Sequence, residues 1–283
     1  MEPLALRRIT GRATVAVLVA LLGGCLCVAQ AQTSSKKRNE AFAKLPDWSG
    51  LWEWDILIGQ ADGQQLSLEG LRKARAYIAA MQPTFTPAWQ PKYDQIEKPL
   101  EVAIAADPDH PPATHTPCET PAFPATALPG MFEWRVTPEE TTLISTMGSV
   151  RHIYTDGRNH PPKHDLWPTR MGDSVGHWEG DTLVVDTVAT KPQMMWLVHG
   201  FPIVVPMSDQ LRFVERIRMV NHNTMQIQTT TEDPVALAKP IEATITYVRV
   251  TDFDRMIDED DTDCKPGTDR NPVVNGRFTT IVH

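Results

Sequence analysis

Alternation of apolar and polar residues dominates the second half of this chain. Phe132–Val136, Thr141–Met147, Val150–Tyr154, Ser174–Trp178, Thr182–Val188, Leu211–Val220, Thr224–Thr231 and Glu242–Val250 place apolar or β-branched side chains near every second position. That is the period of a strand with one buried face. Short polar breaks separate these runs at Pro138-Glu139-Glu140, Thr155-Asp156-Gly157, Glu179-Gly180-Asp181 and Asn221-His222-Asn223. These are residues that tight turns select, and Asp-Gly is a hairpin signal. The aromatic segment from Pro46 to Ile58 alternates in its second half and reads as a further strand. The pattern predicts about nine strands, mostly antiparallel, closing into a barrel or a strongly curved sheet.

One stretch changes period. Leu71, Ala74, Ile78 and Met81 stand near helical spacing behind Ser67, a residue suited to cap a helix. Thr86-Pro87 has the same form, a cap followed by a first-turn proline, and opens a helix to about Glu97. Together they make one helical insertion, residues 67–97, in a single β-rich domain spanning 46–250. The 24 prolines concentrate at 83–91 and 108–129, so residues 107–129 read as irregular coil. Residues 32–45 form a polar tether, and residues 251–283 an acidic loop and tail.

The N-terminus reads as an export signal. Arg7, Arg8 and Arg12 precede an apolar run from Ala13 to Val28, and Ala29-Gln30-Ala31 fits a signal-peptidase site. Leu22-Gly23-Gly24-Cys25 offers a second route, a lipobox with Cys25 as the acylated N-terminus. Cleavage after Ala31 is the preferred reading, and both routes predict a periplasmic or secreted protein. Removing residues 1–31 takes away three arginines and Glu2 and moves the net charge from −8 to −10. A surplus of that sign argues against nucleic acid and anionic lipid as partners. Of four cysteines, Cys118 and Cys264 survive. In an oxidising compartment they predict one disulfide, worth about 2–4 kcal/mol if unstrained, with two buried thiols as the other reading.

Candidate chemistry gathers between Arg151 and Asp181, where histidines, acids, arginines and Tyr154 crowd a short stretch. Such groups avoid burial unless paired, so their density points to a busy surface or a lined site. His164-Asp165 combines an imidazole with a carboxylate able to fix its tautomer, provided the loop after Pro161-Pro162 lets them converge. A solvated loop is the alternative. His152, Tyr154 and Asp156 share one strand face and supply a second candidate row, unless Asp156 only makes the turn and pairs with Arg158. Arg158, His177 and Trp167 complete the set as candidate substrate-binding residues.

A metal is not predicted: His160 and His164 cannot form a helical pair through two prolines, and no H-E-x-x-H is present. The acidic residues at 258–263 lack calcium-loop spacing. Neither a nucleophile elbow nor a phosphate or dinucleotide loop appears, so no cofactor is predicted.

Two resemblances add to this reading. Gly50-Leu51-Trp52 near the mature N-terminus, with Arg249 on the last strand, resembles the lipocalin pattern, in which a G-x-W tryptophan closes one barrel end beneath an arginine. R-H-I-Y-T-D-G-R at 151–158, with S-V-G-H-W-E-G-D-T-L-V-V-D-T at 174–187, resembles a large, uncharacterised group of secreted bacterial β-rich proteins. Export and a β-rich fold are what that likeness implies. The expectation is thus a mainly β, lipocalin-like barrel that processes a small, largely apolar molecule by cofactor-free acid–base chemistry, as a lyase, hydratase or isomerase. The alternative is a non-catalytic carrier or envelope binding protein.

Overall fold

The computed structural model describes residues 36–56, 68–107, 123–124, 131–146, 149–198, 201–251, 273–274 and 277–278. The chain divides into two compact units, Met1–Leu45 and Pro46–His283. In the first, residues 36–42 are helical and Arg38 lies over the Phe42 ring. The export signal, Cys118, Cys264, most of the Pro-rich coil and the acidic residues at 258–263 lie outside the described residues.

The second unit is built on strands β1 (Leu51–Trp54), β2 (Phe132–Val136), β3 (Glu140–Ser145), β4 (Val150–Tyr154), β5 (Asp173–Glu179) and β6 (Thr182–Val188), then β7 (Gln193–Val198), β8 (Phe201–Pro206), β9 (Arg212–Asn221), β10 (Thr224–Glu232) and β11 (Ile241–Arg249). Nine of them close a barrel in the order β1, β11, β10, β9, β6, β5, β4, β3, β2. Closure leaves no free sheet edge, which open antiparallel sheets must otherwise protect. The predicted fold class, a mainly β, lipocalin-like barrel with a small helical insertion, is therefore observed.

Period-two alternation fills the lumen. Ile153, Leu183, Val185, Phe213, Ile217, Ile227, Ile245 and Tyr247 are all buried from inward positions. One barrel end is closed by tryptophans: Trp48 meets Trp134 at 5.4 Å and Trp178 at 5.1 Å, and Trp52 Nε1 donates to the Trp48 carbonyl. The Arg249 guanidinium lies 4.5 Å over the Trp52 ring. Gly50, at φ +100°, leaves it room, because a Cβ there would stand 2.7 Å from Arg249 Nη1.

Three features depart from the sequence pattern. First, Thr155-Asp156-Gly157 does not make a hairpin to the next strand. β5 instead runs parallel to β4, in register at Tyr154 and Val175, after a crossing loop of residues 155–172. Asp156 Oδ1 accepts the Arg158 backbone N–H, which turns the chain locally without pairing two strands. Second, β7 and β8 form a separate hairpin between β6 and β9; with no alternation in its apolar run, the segment gave no strand signal. Third, the helices are α1 (Leu68–Ala80) and α2 (Gln90–Ala106). α2 starts later than Thr86 because the Thr86 hydroxyl donates to the Val235 carbonyl and its N–H to the Ala236 carbonyl. It continues through Pro99 because Tyr93, Ile96, Leu100 and Ile104 extend one apolar stripe to the core; their burial outweighs the hydrogen bond lost at proline.

Candidate functional site

The parity of β4 sorts its side chains. Arg151 and Ile153 point into the barrel, while Val150, His152 and Tyr154 face outward. The crossing loop folds back along that outer face and is tied down at several points. Thr169 N–H donates to the Ala189 carbonyl at 3.0 Å, and Lys191 N–H to the Thr169 carbonyl at 2.9 Å. His160 Nδ1 lies 2.5 Å from Asp173 Oδ1, and Lys163 reaches Asp209 at 3.1 Å. Gly172, at φ +70°, permits the last approach: a Cβ there would meet the Val188 carbonyl oxygen at 2.6 Å.

Between loop and strand lies a cleft of about 270 Å³. Val150, Leu166, Trp167 and Met171 supply its apolar lining, and His152, Tyr154, Asp165 and Thr169 its polar one. Small-molecule sites combine surfaces in this way, with a few polar groups fixing orientation. Trp167 is 72% exposed, an uncommon position for an indole.

His152 is the best-organised ionisable group at the cleft. Its Nδ1 meets the Glu140 carboxylate, reached from β3, and the Thr142 hydroxyl donates to the same oxygen at 3.1 Å. The His152 contact is the main reason that the Glu140 carboxyl titrates below its usual 4.5. A carboxylate at Nδ1 fixes the proton there and leaves Nε2 free to act as base. Tyr154 lies beneath the Arg158 guanidinium at 4.0 Å, and Asp156 grips that guanidinium at 2.6 to 3.0 Å. Arg158 is thereby the main cause of a lowered Asp156 carboxyl pKa.

Of the residues singled out in the sequence, the structure brings His152, Tyr154, Asp165 and Trp167 to one cleft. Asp156 and Arg158 form the turn pair beside it. His164 sits in a single helical turn, Lys163–Asp165, with its side chain 80% exposed and Nε2 3.5 Å from Asp165 Oδ2, too loose for a directed hydrogen bond. His177 lies apart on β5, beside Glu179, which in turn pairs with Arg216. Among the described residues no group of three or more His, Cys, Asp or Glu is placed to hold a metal ion.

A buried network had no place in the sequence reading. Arg151 and Glu215 are each only 1% exposed, and they form a two-pronged ion pair inside the barrel, Nη1 to Oε1 at 3.1 Å and Nη2 to Oε2. Arg151 also donates to the Ser174 and Thr187 hydroxyls, which bond each other at 2.9 Å. Phe123 stacks on the guanidinium at 3.9 Å and meets Phe213 edge-on. All three guanidinium nitrogens are engaged, so the network ties β4, β5, β6 and β9 together. Strand parity was the available signal: a charge at an inward position must have a buried partner. Glu140 was missed for the same reason, since only the β3–β4 register brings it to His152.

No protein-family model, curated protein or solved structure matches the chain.

Proposed function

We propose that this protein is an exported, small-molecule-processing β-barrel that performs cofactor-free acid–base chemistry, of the lyase, hydratase or isomerase type, in the cleft outside β4. His152 is the base. The observation that carries this reading is a carboxylate-bound imidazole on the wall of a tryptophan-rimmed cleft. Nε2 takes a proton from the substrate, and Glu140 stabilises the imidazolium that forms. Tyr154 and Asp165 are the groups placed to hydrogen-bond the polar end of the substrate, while Trp167 and Leu166 cover its apolar part. The role falls to His152 rather than His164 because His164 is more exposed and lacks a tight carboxylate contact. Export is supported by the basic, apolar and A-x-A sequence of residues 1–31.

A second reading, binding without turnover, draws on one observation: the His152 side chain is still 55% exposed. Acid–base sites gain strength by excluding water, and an open cleft exchanges ligand freely.

Nitrobenzisoxazole separates the readings, since its ring opens with a colour change when a base removes one C–H proton. The enzyme reading predicts saturable ring opening that His152→Ala lowers by about 10²–10⁴-fold, with His164→Ala close to wild type. Quenching of tryptophan emission without ring opening assigns the protein to carriage. No quenching and no ring opening contradicts the cleft as a site of either kind.

A further inference from the structure

The β7–β8 hairpin stands outside the barrel sheet and carries an unusual sequence, Gln-Met-Met-Trp-Leu-Val paired with Phe-Pro-Ile-Val-Val-Pro. It has no charged residue, although charge is the common device for protecting the edge of a sheet. Its register decides which backbone groups face outward. Two residues separate Val198 from its partner Phe201, and in a two-residue hairpin the flanking pair exchanges both hydrogen bonds, with bonded and non-bonded pairs alternating thereafter. Val198 with Phe201, Trp196 with Ile203 and Met194 with Val205 are therefore the bonded pairs. Leu197 with Pro202, Met195 with Val204 and Gln193 with Pro206 turn their N–H and C=O positions toward the two outer edges.

The two edges are not equivalent. On the β8 side two of three outward positions are Pro202 and Pro206, which have no N–H to offer, and the Pro206 carbonyl accepts from Trp89 Nε1 at 2.8 Å. On the β7 side Met195 and Leu197 have no outer backbone partner among the described residues. Gln193 is already used, its N–H donating to the Lys191 carbonyl at 2.7 Å. Among the described residues β7 pairs with no strand but β8.

We propose that a second copy of this chain pairs with β7, antiparallel about a two-fold axis through Trp196. Met195 then bonds the partner subunit's Leu197, and Leu197 the partner subunit's Met195. Centring on Trp196 uses both free positions and neither Gln193 nor the turn. The free groups are symmetric about one residue, so the segment is its own complement, and a closed two-fold pair leaves no edge for further addition. Pairing also sets the apolar residues of one hairpin beside those of the other, which is how cross-strand neighbours stabilise a sheet.

Sedimentation equilibrium of the full mature chain tests this. Wild type should run at twice the chain mass at micromolar concentration. Leu197→Pro removes one outward N–H and none of the β7–β8 bonds, so it should run at the single-chain mass with its far-ultraviolet spectrum unchanged. Trp196→Cys gives an independent readout. Opposed non-bonded residues stand about 4.5 Å apart at Cα, within disulfide range, so mild oxidation should yield a covalent dimer absent from identically treated wild type. A monomeric wild type overturns the proposal. So does a dimer that survives Leu197→Pro and gives no Trp196→Cys cross-link. A monomer that partitions onto phosphatidylcholine vesicles also overturns it, and assigns the hairpin to lipid.

Discussion

Arg151 and His152 are neighbours in sequence with opposite fates, because successive strand residues face opposite sides of the sheet. Arg151 enters the lumen and is fully partnered by Glu215, Ser174 and Thr187, while His152 faces the cleft and is held by Glu140. The polar density of 151–181 that marked the region in the sequence therefore has two causes, one internal and one at a surface. Strand parity separates the two faces, but the partners on each, Glu215 and Glu140, come from strands that only the fold brings alongside. A buried ion pair whose partner is removed leaves an uncompensated charge, so Arg151→Met should destabilise the fold by about 3–5 kcal/mol. Arg151→Met combined with Glu215→Leu should recover most of that loss. Urea unfolding of the single and double variants measures both, and a double variant as unstable as the single would show that the pair is not the source of the stability.

The strands were legible because apolar alternation is a property of each segment by itself. The turns at 138–140, 179–181 and 221–223 were legible for the same reason, and each joins consecutive antiparallel strands. The β4–β5 crossing was not, since Asp156-Gly157 makes a local turn whatever the chain does next, and the loop's course depends on anchors at 160, 169 and 172. Nor was the β7–β8 hairpin, whose apolar run carries no period. The anchors make a prediction at this scale. Gly172→Ala sets a Cβ against the Val188 carbonyl in a left-handed conformation, a strain of about 1–3 kcal/mol. It should speed hydrogen exchange at the Thr169 and Lys191 amides, which tie the loop to the sheet, and leave the barrel ladder protected. Equal exchange in both proteins would mean that Gly172 does not hold the loop.

At the scale of the molecule, buried side chains fill the barrel among the described residues. Four tryptophans close one end, the Arg151–Glu215 network ties the strands internally, and Phe123 lies over that network. The space offered to a ligand beside the candidate residues is the cleft on the flank, formed where the sheet changes from antiparallel to parallel pairing. The location of bound ligand is therefore the most direct test. Nitrobenzotriazole, which has the shape of nitrobenzisoxazole but no C–H at the position where the base removes a proton, titrated into labelled protein should shift the His152 ring protons, the Trp167 indole N–H and the amides of residues 150–154 and 161–174, and leave the methyls of Ile153, Leu183 and Ile245 in place. Shifts centred on those lumen methyls, with His152 and Trp167 unmoved, would contradict the account.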